Sequence, residues 1–179
     1  MQADRRWKPR PFLVQAPPPL WPWLTDGSSL TARIAARCGA LRVRVLRTGL
    51  AVPTEDERRL VGLARGRRAW QREVLLLADG HAVVFAHTVL APRHLRGPWR
   101  MAAGMGGQPL GAALFAQPQI VRGALHCERL TAAHPLHRRA ERALGRKLPT
   151  LWGRRSRFLR DGKPLLVTEV FLPGIARLG

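Results

Sequence analysis

The sequence predicts an α+β fold: a single six-stranded antiparallel β-sheet with helices packed around it. Two apolar stretches each reverse at an Asp-Gly pair, Asp79-Gly80 and Asp161-Gly162. Asp-Gly supplies the positive φ angles that a two-residue hairpin turn needs, so each pair joins two antiparallel strands. The regular alternation of strand and helix that builds a parallel sheet does not occur in this sequence. The predicted strands cover 41–48, 72–78, 81–90, 120–128, 154–160 and 163–172.

The N-terminal part predicts an arm followed by a helix and a strand. Residues 1–20 are basic and rich in proline, and we expect an extended arm ahead of a domain spanning 21–179. Residues 22–38 favour a helix, with Ser28 or Ser29 as its N-cap. The strand that follows alternates apolar residues with arginine, a pattern typical of a half-buried strand.

Shorter elements fill the remaining connections. Thr54-Glu-Asp-Glu57 is a capping box that places acids at the positive end of a helix reaching about Ala64. Glycine and proline within 91–108 indicate a mobile connection. It leads into a short helix over 109–115, where proline suits the first turn. Residues 131–149 indicate a polar helical excursion.

The net charge is extreme, +20 for 179 residues, and such a charge would ordinarily indicate binding to nucleic acid or another polyanion. However, 28 of the 31 basic residues are arginine, they are scattered over the whole length, and the chain contains no tyrosine or asparagine. This composition indicates biased codon usage. We therefore interpret the charge as a solvated basic surface and expect no specific nucleic acid partner, with a nucleic-acid footprint as the alternative.

Length and composition indicate one domain that can bury a substantial core. Cys38 and Cys127 form no CxxC pair, which indicates free thiols in a reducing compartment, although sequence alone leaves a disulfide open. No run approaches the ~18 apolar residues of a membrane span. The basic N-terminus lacks the apolar segment of a signal peptide. We expect a cytoplasmic, monomeric protein without a membrane span.

Glu169 stands out among the eleven Asp and Glu residues. Side chains alternate between the faces of a strand, and both faces of 163–172 are apolar, so the strand is predicted to be central and Glu169 to be buried. Burying an unpaired charge is costly, so such a carboxylate must be paired or functional. Two interpretations stay open: a structural ion pair with an arginine of the neighbouring hairpin strand, or a functional acid.

Arg72 and Glu73 lie together at the start of another predicted strand. Arg72 shares a face with Trp70, Val74 and Leu76. There it either extends to water at the strand end or, with a carboxylate such as Glu169 as the second pole, binds a small anionic ligand. Glu73 points to the opposite face, as a surface or pairing residue.

Known motifs give no support for a metal or nucleotide site. The six histidines include no HExxH, and a proline lies between His134 and His137, which have no further ligand nearby. The sequence contains no GxSxG, Walker A or GxGxxG motif. Gly104-Met-Gly-Gly107 does not follow a strand as a phosphate-binding loop does. We predict no metal and no cofactor.

Three segments carry a family resemblance: Trp70-Gln-Arg-Glu-Val-Leu-Leu-Leu-Ala-Asp-Gly80, Pro109-Leu-Gly111, and a C-terminal block. The block combines Leu-Trp-Gly-Arg-Arg-Ser-Arg with Lys-Pro-Leu-Leu-Val-Thr-Glu-Val-Phe-Leu-Pro173 and is the specific part. These segments closely resemble the chorismate pyruvate-lyase family, with gaps, from about Leu24 to Pro173. The resemblance implies a six-stranded antiparallel sheet surrounded by helices, and an enzyme that needs no metal or cofactor.

The resemblance also implies roles for four residues. Arg72 would grip the ring carboxylate of the substrate, and Glu169 would face the 4-oxygen of the ring. The backbone N–H groups of Leu110 and Leu30 would also hold the carboxylate, from segments that fold over the site. A planar guanidinium binds a carboxylate bidentately, and backbone amides near a helix start add donors without burying a charge. Position 30 carries Leu where relatives carry Met, a change that a backbone contact tolerates.

The implied activity is elimination of pyruvate from chorismate, which leaves 4-hydroxybenzoate for ubiquinone synthesis. Aromatisation drives the reaction, so the protein must chiefly hold the substrate in a reactive geometry and exclude water. Two alternatives come from other classes: a non-catalytic domain of the same fold that senses aromatic carboxylates, and a basic nucleic-acid-binding protein. Transcription regulators with such a sensor carry a winged helix ahead of it, and the segment before Trp21 is too short to hold one.

Overall fold

The computed structural model describes residues 6–179, which form one antiparallel sheet with helices on both of its faces. The strands are β1 (Leu41–Ala51), β2 (Ala69–Ala78), β3 (His81–Leu90), β4 (Val121–Arg122), β5 (His126–Leu130), β6 (Leu151–Arg160) and β7 (Lys163–Phe171). Their order in the sheet is β1-β2-β3-β7-β6-β4, and β5 also pairs with β6. The predicted α+β class with an antiparallel sheet is confirmed.

In the part of the chain that the structure describes, the sheet has seven strands where six were predicted, because the segment predicted as one strand over 120–128 forms two. Both pair antiparallel with β6, β4 near one end and β5 near the other. Arg122 lies opposite Phe158 and His126 lies opposite Arg155. The segment from Arg122 to His126 therefore advances by four residues while β6 advances by three. One extra residue is accommodated between β4 and β5, as in a β-bulge.

Both Asp-Gly hairpins are confirmed. Asp79 and Gly80 have φ angles of 48° and 82°, and Asp161 and Gly162 have φ angles of 50° and 68°. Positive φ at both central residues is the geometry of a type I′ turn, whose twist matches that of the flanking strands. As predicted, β7 is central, since it lies between β3 and β6.

Within residues 6–179, six α-helices accompany the sheet: α1 (Trp21–Thr25), α2 (Leu30–Ala35), α3 (Glu55–Leu60), α4 (Arg100–Ala103), α5 (Leu110–Phe115) and α6 (Pro135–Leu144). One sheet face packs against α1, α2, α4 and α5. On the opposite face, Leu136 and Ala140 of α6 pack with Phe85 and Val170, and Val61 after α3 packs in a neighbouring cluster. Both faces of the central strands are therefore buried.

The single helix predicted over 22–38 is two helices, α1 and α2. Between them the Asp26 carboxylate accepts the Ser28 N–H at 2.8 Å, and the Ser29 hydroxyl accepts the Ala32 N–H at 3.3 Å. Short polar side chains satisfy the backbone locally in this way and so compete with helix continuation. Ser29 is thus the N-cap of the second helix, not of one long helix.

The connection over 91–108 has more regular structure than predicted. It contains a 3₁₀-helix, Pro92–Arg96, followed by α4. Trp99 between them is fully buried, and its indole N–H donates to the Lys163 carbonyl at 3.0 Å. The buried indole fixes the connection to the hairpin of β6 and β7.

The described part of the N-terminal segment, residues 6–20, lies against the body of the domain. Trp7 and Val14 are buried, and Lys8 forms a backbone bridge with Cys127. The first five residues of the predicted arm lie outside the described residues. Both cysteines are free thiols, and no helix within residues 6–179 has the length and apolar character needed to cross a bilayer.

Candidate functional site

A narrow cavity lies between one sheet face and the two short helices α2 and α5. Its volume is about 40 Å³. Most of its lining is apolar, and the exceptions include three charged residues: Arg72, Arg122 and Glu169. Each of the three comes from a different strand, so the sheet brings together charges that are far apart in the chain.

All four residues singled out by the family resemblance line this one cavity. Arg72 and Glu169 come from β2 and β7, and Leu30 and Leu110 are the first residues of α2 and α5. Backbone N–H groups in the first turn of a helix have no intrahelical acceptor. The two leucine amides are therefore available to a ligand, whereas the leucine side chains contribute to the core.

Arg72 is buried, with 4% of its surface exposed, so it does not extend to water. Its Nη2 donates to the carbonyls of Gly106 and Gln108, at 2.8 and 3.0 Å. Its Nε and Nη1 make no hydrogen bond to any described residue. Burial lowers the pKa of Arg72, but a guanidinium stays charged in proteins. The cavity thus contains a cation with unused donors.

Glu169 is only half-buried, contrary to the prediction, because its side chain faces the cavity and keeps 17% exposure. Its Oε2 lies 2.5 Å from Nε of Arg154, the residue opposite it on β6. Within the described chain its Oε1 has no hydrogen-bond partner. The ion pair with an arginine of the hairpin strand is therefore observed, and Glu169 also lines the cavity. Its role as a functional acid stays a prediction.

Arg154 is the most deeply buried charge near the cavity, with a side chain 1% exposed. Its Nη1 donates to the carbonyls of Trp23 and Asp26, at 2.8 and 2.7 Å. The break between α1 and α2 supplies one of these acceptors, the Asp26 carbonyl. One guanidinium therefore ties Glu169 to the segment that leads into α2.

Arg122 is a cavity residue that the sequence reasoning missed. Its Nε donates to the Ser156 hydroxyl at 2.9 Å and its Nη1 to the Gly27 carbonyl at 2.8 Å. Burial lowers the pKa of Arg122. No carboxylate within residues 6–179 lies at ion-pair distance from it. With 28 arginines in the chain, nothing local in the sequence distinguished this one.

In contrast, the sequence was sufficient to identify Arg154 as the partner of Glu169. A two-residue turn at Asp161-Gly162 fixes the pairing of the strands that it joins. That register places Arg154 opposite Glu169, as observed.

Glu73 lies on the opposite sheet face, as predicted, in a buried charge cluster. Its Oε1 is 2.8 Å from Arg139 Nη1 of α6 and 3.4 Å from His87 Nδ1, and His87 Nε2 is 3.1 Å from Glu57 Oε1. The ring nitrogens do not meet hydrogen-bond geometry, so attraction between charges is the main interaction. Burial alone would lower the pKa of His87, but the carboxylates outweigh burial and raise it.

The chain matches the sequence profile of a family described as chorismate lyase over residues 1–177. A protein from Azoarcus sp. (strain BH72) named probable chorismate pyruvate-lyase is 55% identical over 163 residues, which cover 89% of this chain and 86% of the relative. A protein of the same name from Aromatoleum aromaticum is 53% identical over 175 residues, which cover 96% of this chain and 94% of the relative.

Solved structures with a similar fold include domains of transcription regulators. The effector domain of PhnF from Mycobacterium smegmatis superposes with a TM-score of 0.58 at 16% identity and covers 84% of this chain and 92% of that domain. A GntR-family regulator from Enterococcus faecalis gives a TM-score of 0.52 at 12% identity, covering 74% of this chain and 90% of the regulator. At such identities the likeness concerns the fold alone.

Proposed function

The chain belongs to the chorismate lyase family, and we propose that its cavity under α2 and α5 is where it eliminates pyruvate from chorismate. The activity is that of a chorismate pyruvate-lyase, a carbon–oxygen lyase. The assignment of the site rests on one observation: Arg72 and Glu169 line the same nearly closed, mostly apolar cavity. An arginine with free donors and a carboxylate fixed on one side suit a small anionic substrate.

Arg72 binds the ring carboxylate in this proposal. Two of its nitrogens, Nε and Nη1, have no acceptor among the described residues, and each can donate a charge-assisted hydrogen bond to a carboxylate oxygen in the cavity. The amides of Leu30 and Leu110 add neutral donors from the first turns of α2 and α5. The ring is then held by groups from the sheet and from both covering helices.

Glu169 faces the reacting end of the ring. In the reaction the hydrogen on C4 is lost as a proton, the bond between C3 and the ether oxygen breaks, and the ring becomes aromatic. The enolpyruvyl group leaves, takes up a proton and becomes pyruvate, while the 4-oxygen becomes the phenol of 4-hydroxybenzoate. The two products together contain every atom of chorismate. The unpartnered Oε1 of Glu169 accepts the 4-hydroxyl hydrogen bond and assists the departure of the C4 proton.

The covering segments must move to admit the substrate. The cavity of about 40 Å³ is far below the ~300 Å³ at the lower end of small-molecule sites. The roof consists of two six-residue helices, α2 and α5. Their closure over the substrate removes water from the reacting groups, which strengthens every charge interaction inside.

Incubation with chorismate tests the proposal. We expect 4-hydroxybenzoate, detected by ultraviolet absorbance, and pyruvate, measured enzymatically, to appear in equal amounts. The Arg72→Ala variant serves as the control for contaminating activity. Binding of 4-hydroxybenzoate without any turnover of chorismate would instead favour the sensing domain.

The proposed enzyme acts as a cytoplasmic monomer with chorismate as its substrate and without a nucleic acid partner. Several arginines are committed within the fold: Arg139 pairs with Glu73, and Arg33 pairs with Asp26. We expect only weak, salt-sensitive binding to DNA or RNA. Sub-micromolar nucleic acid binding at physiological salt would contradict this, and a dimer peak in size-exclusion chromatography would contradict the monomer.

A further inference from the structure

We infer that Arg122 binds the second carboxylate of the substrate, the one on the enolpyruvyl side chain. This inference rests on the proposed function and adds a residue to it. Chorismate is a dianion, and Arg72 accounts for only one of its carboxylates. Arg122 is the other cation that lines the cavity.

Its contacts leave part of the Arg122 guanidinium free. Nε and Nη1 donate to Ser156, Gly27 and Ser28, all of them neutral acceptors. Nη2 makes no hydrogen bond within the described residues. Arg122 is half-buried, and a partly desolvated cation without a carboxylate at ion-pair distance is costly. A carboxylate in the cavity would supply the missing charge.

Phenylalanine rings hold this guanidinium in place. The ring centroids of Phe115 and Phe158 each lie 5.4 Å from its central carbon. Cations are attracted to the faces of aromatic rings at this distance. Phe115 belongs to α5, so the same covering helix that bears Leu110 also contacts Arg122.

The charges of the site balance when Arg122 takes part. Three arginines, Arg72, Arg122 and Arg154, lie in or beside the cavity with one carboxylate, Glu169. The Asp26 carboxylate, which also attracts Arg122, is paired with Arg33. A substrate with two carboxylates raises the number of negative charges to three. A closed cavity of low dielectric penalises any surplus charge strongly, so a dianion fits this set better than a monoanion.

The order of strands places the strand that carries Glu169 between the strands that carry Arg72 and Arg122. β7 carries Glu169, and β2 and β4 each lie two positions away from it, on opposite sides. Neighbouring strands are about 4.8 Å apart and successive residues of a strand about 3.3 Å, and the register places Arg72 level with Val167 and Arg122 level with Leu165. The backbones of Arg72 and Arg122 therefore lie roughly 12 and 16 Å from that of Glu169. The long arginine side chains can shorten this gap. The ring then lies between the two arginines, over the strand that carries Val167 and Glu169, with a carboxylate directed toward each side.

This arrangement distinguishes the substrate from the aromatic product. 4-Hydroxybenzoate keeps the ring carboxylate that Arg72 binds, whereas pyruvate carries away the carboxylate that Arg122 binds. Arg122 therefore contributes to substrate binding and to the orientation of the leaving group, and not to affinity for 4-hydroxybenzoate.

Two probe ligands test the inference on the full-length protein. One is 3-(carboxymethoxy)-4-hydroxybenzoate, which carries both carboxylates, and the other is 3-methoxy-4-hydroxybenzoate, which lacks the second. We expect the wild type to bind the dicarboxylate more tightly. In Arg122→Gln this preference should fall by about 30-fold or more, and Arg122→Lys should restore part of it.

Arg157→Gln is the matched control, since Arg157 lies on the neighbouring strand β6 and is exposed. It should leave the preference and kcat/KM for chorismate unchanged, whereas Arg122→Gln should lower kcat/KM and keep the affinity for 4-hydroxybenzoate. A purely structural role of Arg122 would weaken both probes equally, and that result would overturn the inference, as would a wild type with no preference. Failure of the proposed function has a different signature: no 4-hydroxybenzoate formed by the wild type.

Discussion

Glu169 and Arg154 pair across β6 and β7, with Oε2 of the carboxylate 2.5 Å from Nε of the guanidinium. Arg154 is itself fixed by the carbonyls of Trp23 and Asp26. The carboxylate is thereby held in one orientation at the edge of the cavity. Arg154 acts as a positioning residue, because it reaches the site through Glu169 and does not line the cavity.

Glu169→Gln is expected to reduce turnover by about 10²–10⁴-fold, the range for loss of an acid or base group. Glutamine keeps the shape and can still accept the Arg154 hydrogen bond, so affinity for 4-hydroxybenzoate should largely remain. Some loss of thermal stability should accompany the change, because Arg154 loses its countercharge. Turnover, product affinity and melting temperature are measured together, with Glu141→Gln on α6 as the control. A stable variant with near-normal turnover would reject the catalytic role.

Arg72→Ala is expected to weaken binding of chorismate and of 4-hydroxybenzoate by about 2–5 kcal/mol, the range for truncating one partner of a buried charge pair. Both ligands should be affected because both carry the ring carboxylate. Isothermal titration with 4-hydroxybenzoate measures the loss. Wild-type affinity in this variant would remove Arg72 from the site.

Gly111→Ala is expected to separate the two covering helices. A Cβ at Gly111 would lie 2.8 Å from Oγ1 of Thr31, a β-branched and buried residue of α2. Overpacking of this kind costs about 1–3 kcal/mol, so affinity for 4-hydroxybenzoate should fall by about tenfold. Thr31→Ala added to Gly111→Ala removes the clashing atom and should restore the affinity. A single variant with unchanged affinity would show that close contact of the two helices is not needed.

His87→Gln is expected to change the pH dependence of stability. The carboxylates of Glu57 and Glu73 raise the pKa of His87 above 6.5, against the opposing effects of burial and Arg139. A raised pKa means that the charged form stabilises the folded state fully below about pH 6.5, and that this contribution is lost as the pH rises through the folded-state pKa. The wild type should therefore exceed the variant in melting temperature at pH 6 by more than at pH 9.

Glu57 determines how far the pH can fall before the same cluster loses its stabilising contribution. Burial would raise the pKa of Glu57, but His87 and the Thr54 N–H lower it to about 2. Its stabilising contribution is present above pH 4.5 and is lost as the pH falls toward 2. If the difference in melting temperature between the wild type and His87→Gln grew from pH 6 to pH 9, this result would contradict a charged His87 between Glu57 and Glu73.

Local chemistry made the strands predictable. Each Asp-Gly pair fixes a turn, and the second also fixes the register of its hairpin, whereas an irregularity at Leu76 and Leu77 shifts the register of the first. The two apolar faces of 163–172 predicted the central position of β7, and the alternation of side chains predicted that Arg72 and Glu73 lie on opposite sides of the sheet. The split between α1 and α2 was missed because helix periodicity continues through Asp26 and Ser28, and only their backbone hydrogen bonds break it. Arg122 was missed because its burial depends on helices that come from distant parts of the chain.

The β-bulge between β4 and β5 has a consequence for the direction of one side chain. Arg122 and His126 are four residues apart and would share a face if the two segments were one regular strand. His126 lies opposite Arg155, whereas Arg122 lies opposite Phe158, which lines the cavity. The extra residue therefore places Arg122 and His126 on opposite faces of the sheet. Regular pairing would direct the Arg122 guanidinium away from the cavity, whereas the bulge directs it into the cavity. Deleting Ala124 would restore the regular count and turn Arg122 outward, so the length of this connection matters more than its composition.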